Sequence, residues 1–497
     1  MAIRRNINYI NKDFTEYRAQ LINYAQSYFP TTYTDFSETS PGMMFIEQAA
    51  YVGDVLSFYL DNQIQENYVQ YARQDNNLYQ MAYMFGYKPK VTTLATTEID
   101  FYQLVPSKLS GSEYIPDYDY ALYVNANTQV STRSGTPITF TIEDPIDFSV
   151  SSSDSPTTVT IAQVTSGNPS QFLLKKTAKG FSGAIATTSE VIGSPQEFLT
   201  ININANDIAG IVDIFDSDGN QYYEVDYLGQ DLVFDGIKNT NINDPDNYTA
   251  GNDTPYILKT KQVQNRFTSR FIDRGTLQLQ FGSGNPNDTT EEIIPNSFNV
   301  GLGLPFQQNK LTSAYSPTNF IFTNTYGVAP SNTTLTIRYY TGGGVNANIL
   351  ANTLTNPNTS TIQFLNGGLN QSLASTVFSS IATNNPIAAS GGSDGDTIQE
   401  IRQNILANYG SQQRNVTADD YLVRTLSMPS KYGTIAKALT QKPNASSANT
   451  TLDVFVLSQD VNGNLAAAST PLKENVKTYL NQYRMIGDTI SIKDAFI

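Results

Sequence analysis

Hydrophobic positions follow three successive patterns along the chain. Up to about residue 90 they recur at spacings of three and four, which is typical of one face of an α-helix. From about 95 to 345 they alternate with polar positions, as in half-buried β-strands. After about 375 both patterns occur. The sequence therefore predicts a multi-domain α+β protein with an N-terminal helical domain, a β-rich middle and a small C-terminal α+β domain.

We place the boundaries of this organisation where the pattern changes. The N-terminal helical domain is expected over 1–94 and the β-rich middle region over 95–345. A Gly-, Asn- and Ser-rich junction follows at 346–396, and the C-terminal α+β domain at 397–497. Because the sequence stops at Ile497 inside a predicted strand, we expect either a truncated chain or a C-terminus that a partner completes.

The N-terminal segment predicts three helices. The first presents an aromatic face and ends at Pro30. In the second, Ser40 is a suitable N-cap and Pro41 suits the first helical position. The pattern of the second helix continues to Tyr68, and the third helix stops at Gly86. An apolar stripe on the second helix is expected to pack inward, and its members are Phe45, Ala49, Val52, Leu56 and Leu60.

Turn residues mark the β-rich middle region. Asp218-Gly219 predicts a hairpin turn, and Asn-, Asp- and Gly-rich passages at 235–255 and 283–298 predict long surface loops. Gly342–Gly344 follow a predicted strand but fit neither phosphate-binding glycine motif. We expect these glycines to adopt positive φ or to let two backbones approach closely.

The C-terminal domain predicts the element order α-α-β-β-α-β. Its first helix is expected to end at Gly410. Thr417 is the expected N-cap of the second helix. Asp420, three residues later, completes a capping box in which Asp replaces the usual Glu or Gln.

The composition narrows the possible chemistry. The 497 residues include no Cys, His or Trp, so the chain has no thiolate or imidazole for catalysis or zinc binding. The net charge of −15 argues against nucleic-acid binding, which needs a basic surface. No run approaches the ~18 apolar residues of a membrane span. The 31 tyrosines favour protein–protein contacts.

Carboxylates provide the candidate catalytic site. Asp35 and Glu38, with Glu47 further along, have the residue types of a glycosidase acid pair. We favour the alternative that these acids complement the dipole of the helix that follows.

Three further stretches have weaker signals. Asp216–Asn220 and Ser393–Asp396 partly match a calcium loop but lack its ligand spacing, so we interpret them as turns. Lys259–Arg274 interleaves Arg with Phe, which would suit stacking on bases or contact with an acidic partner. We favour a solvated strand edge guarded by charge. We therefore predict no metal, no cofactor and no enzymatic activity.

Several motifs in the sequence carry a family resemblance. They are Phe14–Leu21, the stretch from Asp35 to Lys90, "LQLQFGSG" at Leu277–Gly284, "IRYYTGGGVNANI", the stretch from Ala389 to Pro429 with its Gly-Gly-x-Asp turn, and "LNQYRMIGDTISI" at Leu480–Ile492. Together they resemble the baseplate J-like family, the baseplate wedge proteins of contractile-tailed phages. The region from about 105 to 270 matches weakly, and we expect an insertion there.

The resemblance implies a structural role in the inner ring of a baseplate. The protein would join wedges around the central hub and relay the conformational switch of the baseplate to the sheath. The implied partners are other baseplate wedge proteins, further copies of itself, the hub and the sheath-initiating proteins, with no nucleic acid and no membrane. The implied location is the tail baseplate of the virion, after assembly in the host cytoplasm. A related contractile injection machine fits the same motifs, and we favour a phage.

The resemblance also gives interface candidates. Tyr51 and Tyr59 are expected to pack on a partner helix, and Ala49 and Ala50 to allow close helix approach. We predict that Ala49→Arg abolishes assembly or folding, whereas Asp35→Asn costs little. The full set of candidates is Ser40, Pro41, Ala49, Ala50, Tyr51, Tyr59, Gly391, Gly392, Asp394, Arg414, Thr417 and Tyr421.

Two other functions stay open on the sequence. Polar, tyrosine-rich strands would suit a receptor-binding tail or fibre protein, although we find no internal repeat of the kind that fibres usually contain. A tail-associated cell-wall hydrolase would use carboxylates such as Asp35 and Glu38.

Overall fold

The fold is described by a computed structural model that covers residues 13–133, 135–152, 155–238, 256–284, 326–411, 414–442, 451–485 and 487–496. Helices come first, strands dominate the middle, and both alternate towards the C-terminus. The predicted α+β class and the order of its three parts are therefore confirmed.

Seven α-helices form within the described residues, and two of them differ in length from the prediction. They are α1 (Phe14–Tyr28), α2 (Pro41–Gln65), α3 (Asp75–Met84), α4 (Gln371–Ser379), α5 (Ile398–Ser411), α6 (Ala418–Leu426) and α7 (Thr470–Asn481). The second helix stops before Tyr68, and Gly410 lies inside α5 instead of ending it. The predicted stop after α3 is confirmed, because Gly86 has a φ of 82°.

The strands of the described residues form several sheets. In chain order they are β1 (Thr96–Ser110), β2 (Glu113–Pro116), β3 (Leu122–Val124), β4 (Gln129–Thr132), β5 (Thr139–Ile142), β6 (Ile146–Asp147), β7 (Thr158–Thr165), β8 (Asn168–Ser182), β9 (Ala184–Ile192), β10 (Thr200–Asn204), β11 (Ile208–Phe215), β12 (Gln221–Glu224), β13 (Leu232–Lys238), β14 (Tyr256–Gln262), β15 (Arg266–Asp273), β16 (Thr276–Phe281), β17 (Thr333–Thr341), β18 (Leu354–Pro357), β19 (Ile362–Phe364), β20 (Ala382–Asn384), β21 (Lys437–Gln441), β22 (Thr451–Gln459), β23 (Leu465–Ala466) and β24 (Thr489–Asp494).

Two large sheets make up the β-rich middle. In the first, the strand order is β18-β4-β5-β8-β1-β2, with β7 paired to β8 and β20 paired to β1. In the second, the order is β10-β16-β15-β12-β11-β17-β9. The predicted hairpin at Asp218-Gly219 joins β11 to β12, and Gly219 has a φ of 84°.

Smaller sheets complete the described chain. β3, β6 and β19 form a three-stranded sheet, and β13 pairs with β14. The predicted loop at 235–255 begins inside β13, and residues 239–255 lie outside the described residues. The other predicted loop was 283–298, and its residues 285–298 also lie outside the described residues. In the C-terminal domain β22 pairs with β21, β23 and, in parallel, β24, and α6 and α7 accompany this sheet, as the predicted element order requires.

Three large hydrophobic cores and one small cluster of Leu94, Phe181 and Ala209 lie within the described parts of the chain. The first packs α3 and α5 against the second large sheet, through residues such as Leu78, Ile401 and Phe281. The second fills the space around the first large sheet and α4, and the third lies between α6, α7 and the C-terminal sheet. Helices from both ends of the sequence therefore share one core with the middle region.

Candidate assembly surface

The first two helices pack through small residues on α2. A Cβ added at Gly53 would lie 3.3 Å from the ring of Tyr17, so this glycine lets the tyrosine sit close to the helix. The Tyr17 hydroxyl also hydrogen-bonds Ser57, and Arg18 Nε donates to Glu47 Oε1 over 3.0 Å. The side of α2 that meets α1 is therefore lined by small and polar residues.

The larger apolar residues of α2 lie on the opposite side and face solvent. Phe45 is 64% exposed, and Ala49, Val52, Leu56, Tyr59 and Leu60 are exposed as well. We call these six residues the outer face of α2. The prediction that the apolar stripe packs inward is wrong for this chain, because α1 covers the side that carries Met43, Ala50 and Ser57.

The outer face has the spacing of a coiled-coil seam. Its first five residues follow one another at intervals of four, three, four and three, which is the 3.5-residue repeat of helices that pack side by side. The charged residues of α2 are Glu47, Asp54 and Asp61, which recur every seven residues on the other side of the helix. An uncharged apolar face on a 25-residue helix about 37 Å long is a typical docking surface for another helix.

The α2 candidates take different places on this helix. Ser40 is the N-cap and Pro41 the first helical residue, as predicted, although the Ser40 side chain makes no capping hydrogen bond and instead contacts the Tyr33 hydroxyl at 3.3 Å. Ala50 is fully buried, whereas Tyr51 and Tyr59 are exposed.

The second group of candidates lies at a junction of four backbone segments. We define the glycine junction as residues 91–96, 342–345, 390–396 and 430–434. Gly344 N donates to Thr93 O, Thr93 N to Ser393 O, and Thr434 N to Gly391 O. These hydrogen bonds connect the chain just before β1 with segments about 250 to 340 residues later.

Glycines are required at this junction because the backbones nearly touch. Gly342–Gly344 have φ values of 103°, 102° and 83°, which confirms the predicted positive φ. A Cβ at Gly343 would lie 2.3 Å from Thr93 O, and one at Gly392 would lie 2.3 Å from Gly344 O. Both distances are shorter than any real contact, so no other residue fits without moving the backbone.

The carboxylates of Asp394 and Asp396 accept hydrogen bonds that hold the segments of the glycine junction together. Asp394 Oδ1 accepts from Val345 N at 3.0 Å. Asp396 Oδ2 accepts from the Tyr87 hydroxyl and from Lys90 N, the latter at 2.9 Å. Burial, followed by the nearby Asp396 charge, raises the pKa of Tyr87, so its hydroxyl stays a donor. These contacts explain the Ser393–Asp396 motif as a structural lock and not as a cation loop.

The third group of candidates lies around the start of α6. Thr417 caps α6, and the predicted capping box is present, since Thr417 Oγ1 accepts from Asp420 N and Asp420 Oδ2 accepts from Thr417 N at 2.8 Å. Arg414 is exposed. Tyr421 is a core residue whose hydroxyl donates to Asp488 at 2.7 Å.

The candidate catalytic acids take part in local structure. Asp35 Oδ1 accepts from Ser37 N at 3.0 Å, and hydrogen bonds from Ser37 lower the pKa of Asp35. Glu47 forms the ion pair with Arg18. Asp216 closes the hairpin turn by accepting from Asp218 N and Asn220 N. Within the described ranges, no group of three or more carboxylates is placed to hold a metal ion.

We expected the basic stretch Lys259–Arg274 to form a solvated strand edge guarded by charge. This expectation is wrong for its second half. Its second half is β15, which lies between β12 and β16 inside the second large sheet. Arg266 is buried and donates to Leu228 O and Val263 O at 2.7 Å, and Arg274 donates to Asp396 O. These two arginines satisfy backbone carbonyls.

Sequence reasoning named Ala50 as a site of close helix approach but missed Gly53 and Ser57, which also lie where α1 packs on α2. These three small residues recur at spacings of three and four, which is a readable signal for close helix packing. For Tyr87 and Asp396 the sequence offered no signal, because they are 309 residues apart.

Comparisons with known proteins give one family match. Residues 13–84 match the family described as "Bacteriophage baseplate protein, N-terminal domain". This match covers α1, α2 and α3, and so includes the outer face. The likeness to phage baseplate proteins is therefore one of the N-terminal helical segment. A comparison with curated proteins finds no match.

Two solved baseplate assemblies contain similar chains. One is the "Cryo-EM structure of the anti-feeding prophage (AFP) baseplate, 6-fold symmetrised", with 10% identity, 96% of this chain and 70% of that chain covered, and a TM-score of 0.20. The other is the type VI secretion system TssK-TssF-TssG baseplate subcomplex, with 7% identity, 92% and 96% covered, and a TM-score of 0.25. TM-scores this low do not establish a shared fold. Among the described residues, no helix has the length and apolarity to cross a bilayer.

Proposed function

We propose that this protein is a wedge component of the inner ring of a contractile phage tail baseplate, of the baseplate J-like type. It joins neighbouring wedges around the hub and relays the conformational switch of the baseplate to the sheath. Its partners are other wedge proteins, further copies of itself, the hub and the sheath-initiating proteins. It acts without enzymatic activity, nucleic acid or membrane, and it is assembled in the host cytoplasm.

The observation that carries this proposal is the exposed outer face of α2 inside the domain that matches the baseplate family. Exposed apolar side chains on a charge-free helix face are costly for an isolated soluble chain and are usually covered by a partner. A helix from a neighbouring wedge chain has the length and the repeat to cover this face.

The glycine junction supports the relay part of the proposal. Lys90 Nζ donates to Leu426 O at 2.6 Å, and Lys90 N donates to Asp396, so the chain leaving α3 is attached to both α6 and the junction. A displacement of the N-terminal helices would thus be passed directly to the C-terminal domain. We propose 1–94 as the bundle domain and 95–345 as the middle region with an insertion. The Gly-, Asn- and Ser-rich segment 346–396 then connects the middle region to 397–497, the domain nearer the hub.

The test is localisation on virions that carry this chain. Antibody-gold labelling viewed by electron microscopy is expected to place the protein at the baseplate. Gold at the fibre tips would contradict the proposal and support receptor binding. Detergent-opened particles are labelled in parallel to expose buried epitopes, and the absence of gold from both intact and opened particles would also reject the proposal.

A further inference from the structure

Strand β7 has an open edge that is unlike the other strands of its sheet. Among the described residues it pairs with β8 alone, through a hairpin whose turn has Ser166 and Gly167 at φ values of 54° and 82°. All eight residues of β7, "TVTIAQVT", are exposed. The sequence contains no charge, no proline and no glycine, and three of its residues are Thr.

The apolar side chains of β7 continue a buried surface. Val159 lies opposite Leu174, and Ile161 lies opposite Phe172, so each pair shares one face of the sheet. Leu174 and Phe172 are buried in the second core, but Val159 is 39% exposed and Ile161 57% exposed. The core face of this sheet therefore extends beyond the elements that cover it.

Soluble proteins usually protect such an edge with charge, proline or a bulge, because free N–H and C=O groups with apolar side chains attract another strand. β7 has a register shift after Ile161, so the half from Thr158 to Ile161 is the regular, unprotected part. Strand β9, at the edge of the second sheet, carries Glu190 by contrast. The missing protection indicates that β7 has a strand partner.

We propose that β7 pairs antiparallel with β7 of a second copy of this chain, around a two-fold axis at Thr160. In this register Val159 of each copy lies opposite Ile161 of the other, and Thr160 lies opposite Thr160. The two Val–Ile pairs extend the core face across the axis, and β-branched pairs of this kind stabilise antiparallel strands. A two-fold interface needs a self-complementary segment, and this half strand is one.

The absence of charge in β7 lets this strand meet a second copy of the chain without local repulsion. Two copies with a net charge of −15 each repel one another over most of their surface. β7 places no charge against its copy in any register. The contact is short, so it is weak between free chains and becomes strong where copies are already held close together. This inference rests on the self-association part of the proposed function and gives it a defined surface.

A single engineered cysteine tests the register, since the chain contains no Cys. In the proposed pair the two Thr160 side chains face each other with Cβ atoms about 4.5–5.5 Å apart, close enough for a disulfide after a small adjustment. We expect purified full-length Thr160→Cys to form a covalent dimer under mild oxidation at least about tenfold faster than a collision-limited control. The matched control is Val191→Cys, at an 81% exposed position on the edge strand β9.

The companion variant adds Ile161→Lys to Thr160→Cys. It places two lysines next to the axis and is expected to bring the cross-linking rate down to that of the control. Ile161 is exposed, so the thermal unfolding of the monomer should not change.

Equal cross-linking rates for Thr160→Cys and Val191→Cys would overturn the proposal. So would a cross-link from Cys at position 160 to a different chain in purified particles. Gold at the baseplate combined with equal cross-linking rates would reject the strand pairing alone, whereas gold elsewhere combined with fast cross-linking would reject only the baseplate location.

Discussion

The carboxylate of Glu224 connects three parts of the molecule. It lies on β12, 3.4 Å from Lys431 Nζ in the turn after α6, and it accepts a hydrogen bond from Ser269 on β15. Asp226, two residues after Glu224, forms an ion pair with Lys88, which precedes β1; Lys88 Nζ lies 2.7 Å from Asp226 Oδ1. Burial acts to raise the pKa of Glu224, but the charges of Lys431 and Lys88 outweigh it and lower the pKa to about 2.

This lowered pKa predicts a pH-dependent stability. A carboxylate with a folded-state pKa below its ordinary 4.5 contributes stability above that pH, and the contribution is lost as the pH falls towards about 2. Glu224→Gln should therefore lower the free energy of unfolding by about 1–3 kcal/mol at pH 7, because Lys431 loses its partner. The deficit should shrink on acidification through that window. Urea unfolding at pH 7 and at pH 3 measures both values.

Glu113→Gln is the control for this prediction, since Glu113 is an exposed carboxylate on β2. It should change the free energy of unfolding by less than about 0.5 kcal/mol at either pH. A Glu224→Gln deficit that grows on acidification would contradict the assignment.

At the residue scale, local constraints were predictable and distant contacts were not. The positive φ of Gly342–Gly344 follows from three glycines after a strand, and Thr417 with Asp420 follows from the capping pattern. The role of Asp396 depends on Tyr87 and Lys90, which are more than 300 positions away. Local sequence patterns do not reveal which distant donor will meet a carboxylate.

At the element scale, α2 shows how far hydrophobic periodicity reaches. The pattern correctly predicted the helix, its start and its apolar stripe. It could not tell whether the stripe meets the same chain or another one, because both kinds of contact require the same side chains. The small residues opposite the stripe, where Tyr17 packs, show that α1 covers the other side of α2 and leaves the stripe exposed.

From the sequence we expected Ala49→Arg to abolish either assembly or folding, and the exposed position of Ala49 now favours a loss of assembly alone. Because Ala49 is exposed, Ala49→Arg should fold with an unchanged unfolding temperature but should fail to enter tail particles, and Leu56→Arg should behave alike. Circular dichroism of the purified chain and immunoblots of purified particles from a complemented deletion phage measure the two properties.

Two controls bracket this prediction. Ala19→Arg, at an exposed alanine on α1 away from the outer face, should be incorporated normally. Ala50→Arg, at a fully buried position, should lose roughly 3 kcal/mol or more of stability. Normal incorporation of both Ala49→Arg and Leu56→Arg would mean that the outer face has no partner in the particle.

At the scale of the whole molecule, the segment 87–96 joins the three parts. It leaves α3, contributes Tyr87 to the first core and Ala95 to the second, and anchors Lys90 on α6. The hydrophobic patterns predicted the helical, β-rich and mixed parts of the chain. They gave no indication that α5 would share a core with α3. That arrangement depends on packing across the full length of the chain.

Asp396→Ala should loosen this joint and expose it to trypsin. Lys90 is 4% exposed, and its backbone N–H and side chain are both hydrogen-bonded, so the Lys90–Val91 bond should resist cleavage in the native chain. The preceding Lys88-Pro89 bond is a poor trypsin site, so a new cut here is specific to Lys90. Mass spectrometry of a short digest should detect fragments that end at Lys90 in the variant.

The control for this digest is Asp394→Ala, which removes the contact to Val345 N and leaves the Tyr87 and Lys90 contacts in place. Its digest should match that of the native chain. Equal protection of Lys90 in Asp396→Ala would show that the packing around this segment holds it without the carboxylate.

The close backbone packing at the glycine junction also limits which substitutions this sequence can accept during evolution. Exposed side chains tolerate replacement, and buried apolar ones can be exchanged for others of similar volume. Gly343 and Gly392 have no such freedom, since any side chain would enter a neighbouring backbone. Among distant descendants of this chain, the spacing of these glycines is therefore expected to persist after the residues around them have become unrecognisable.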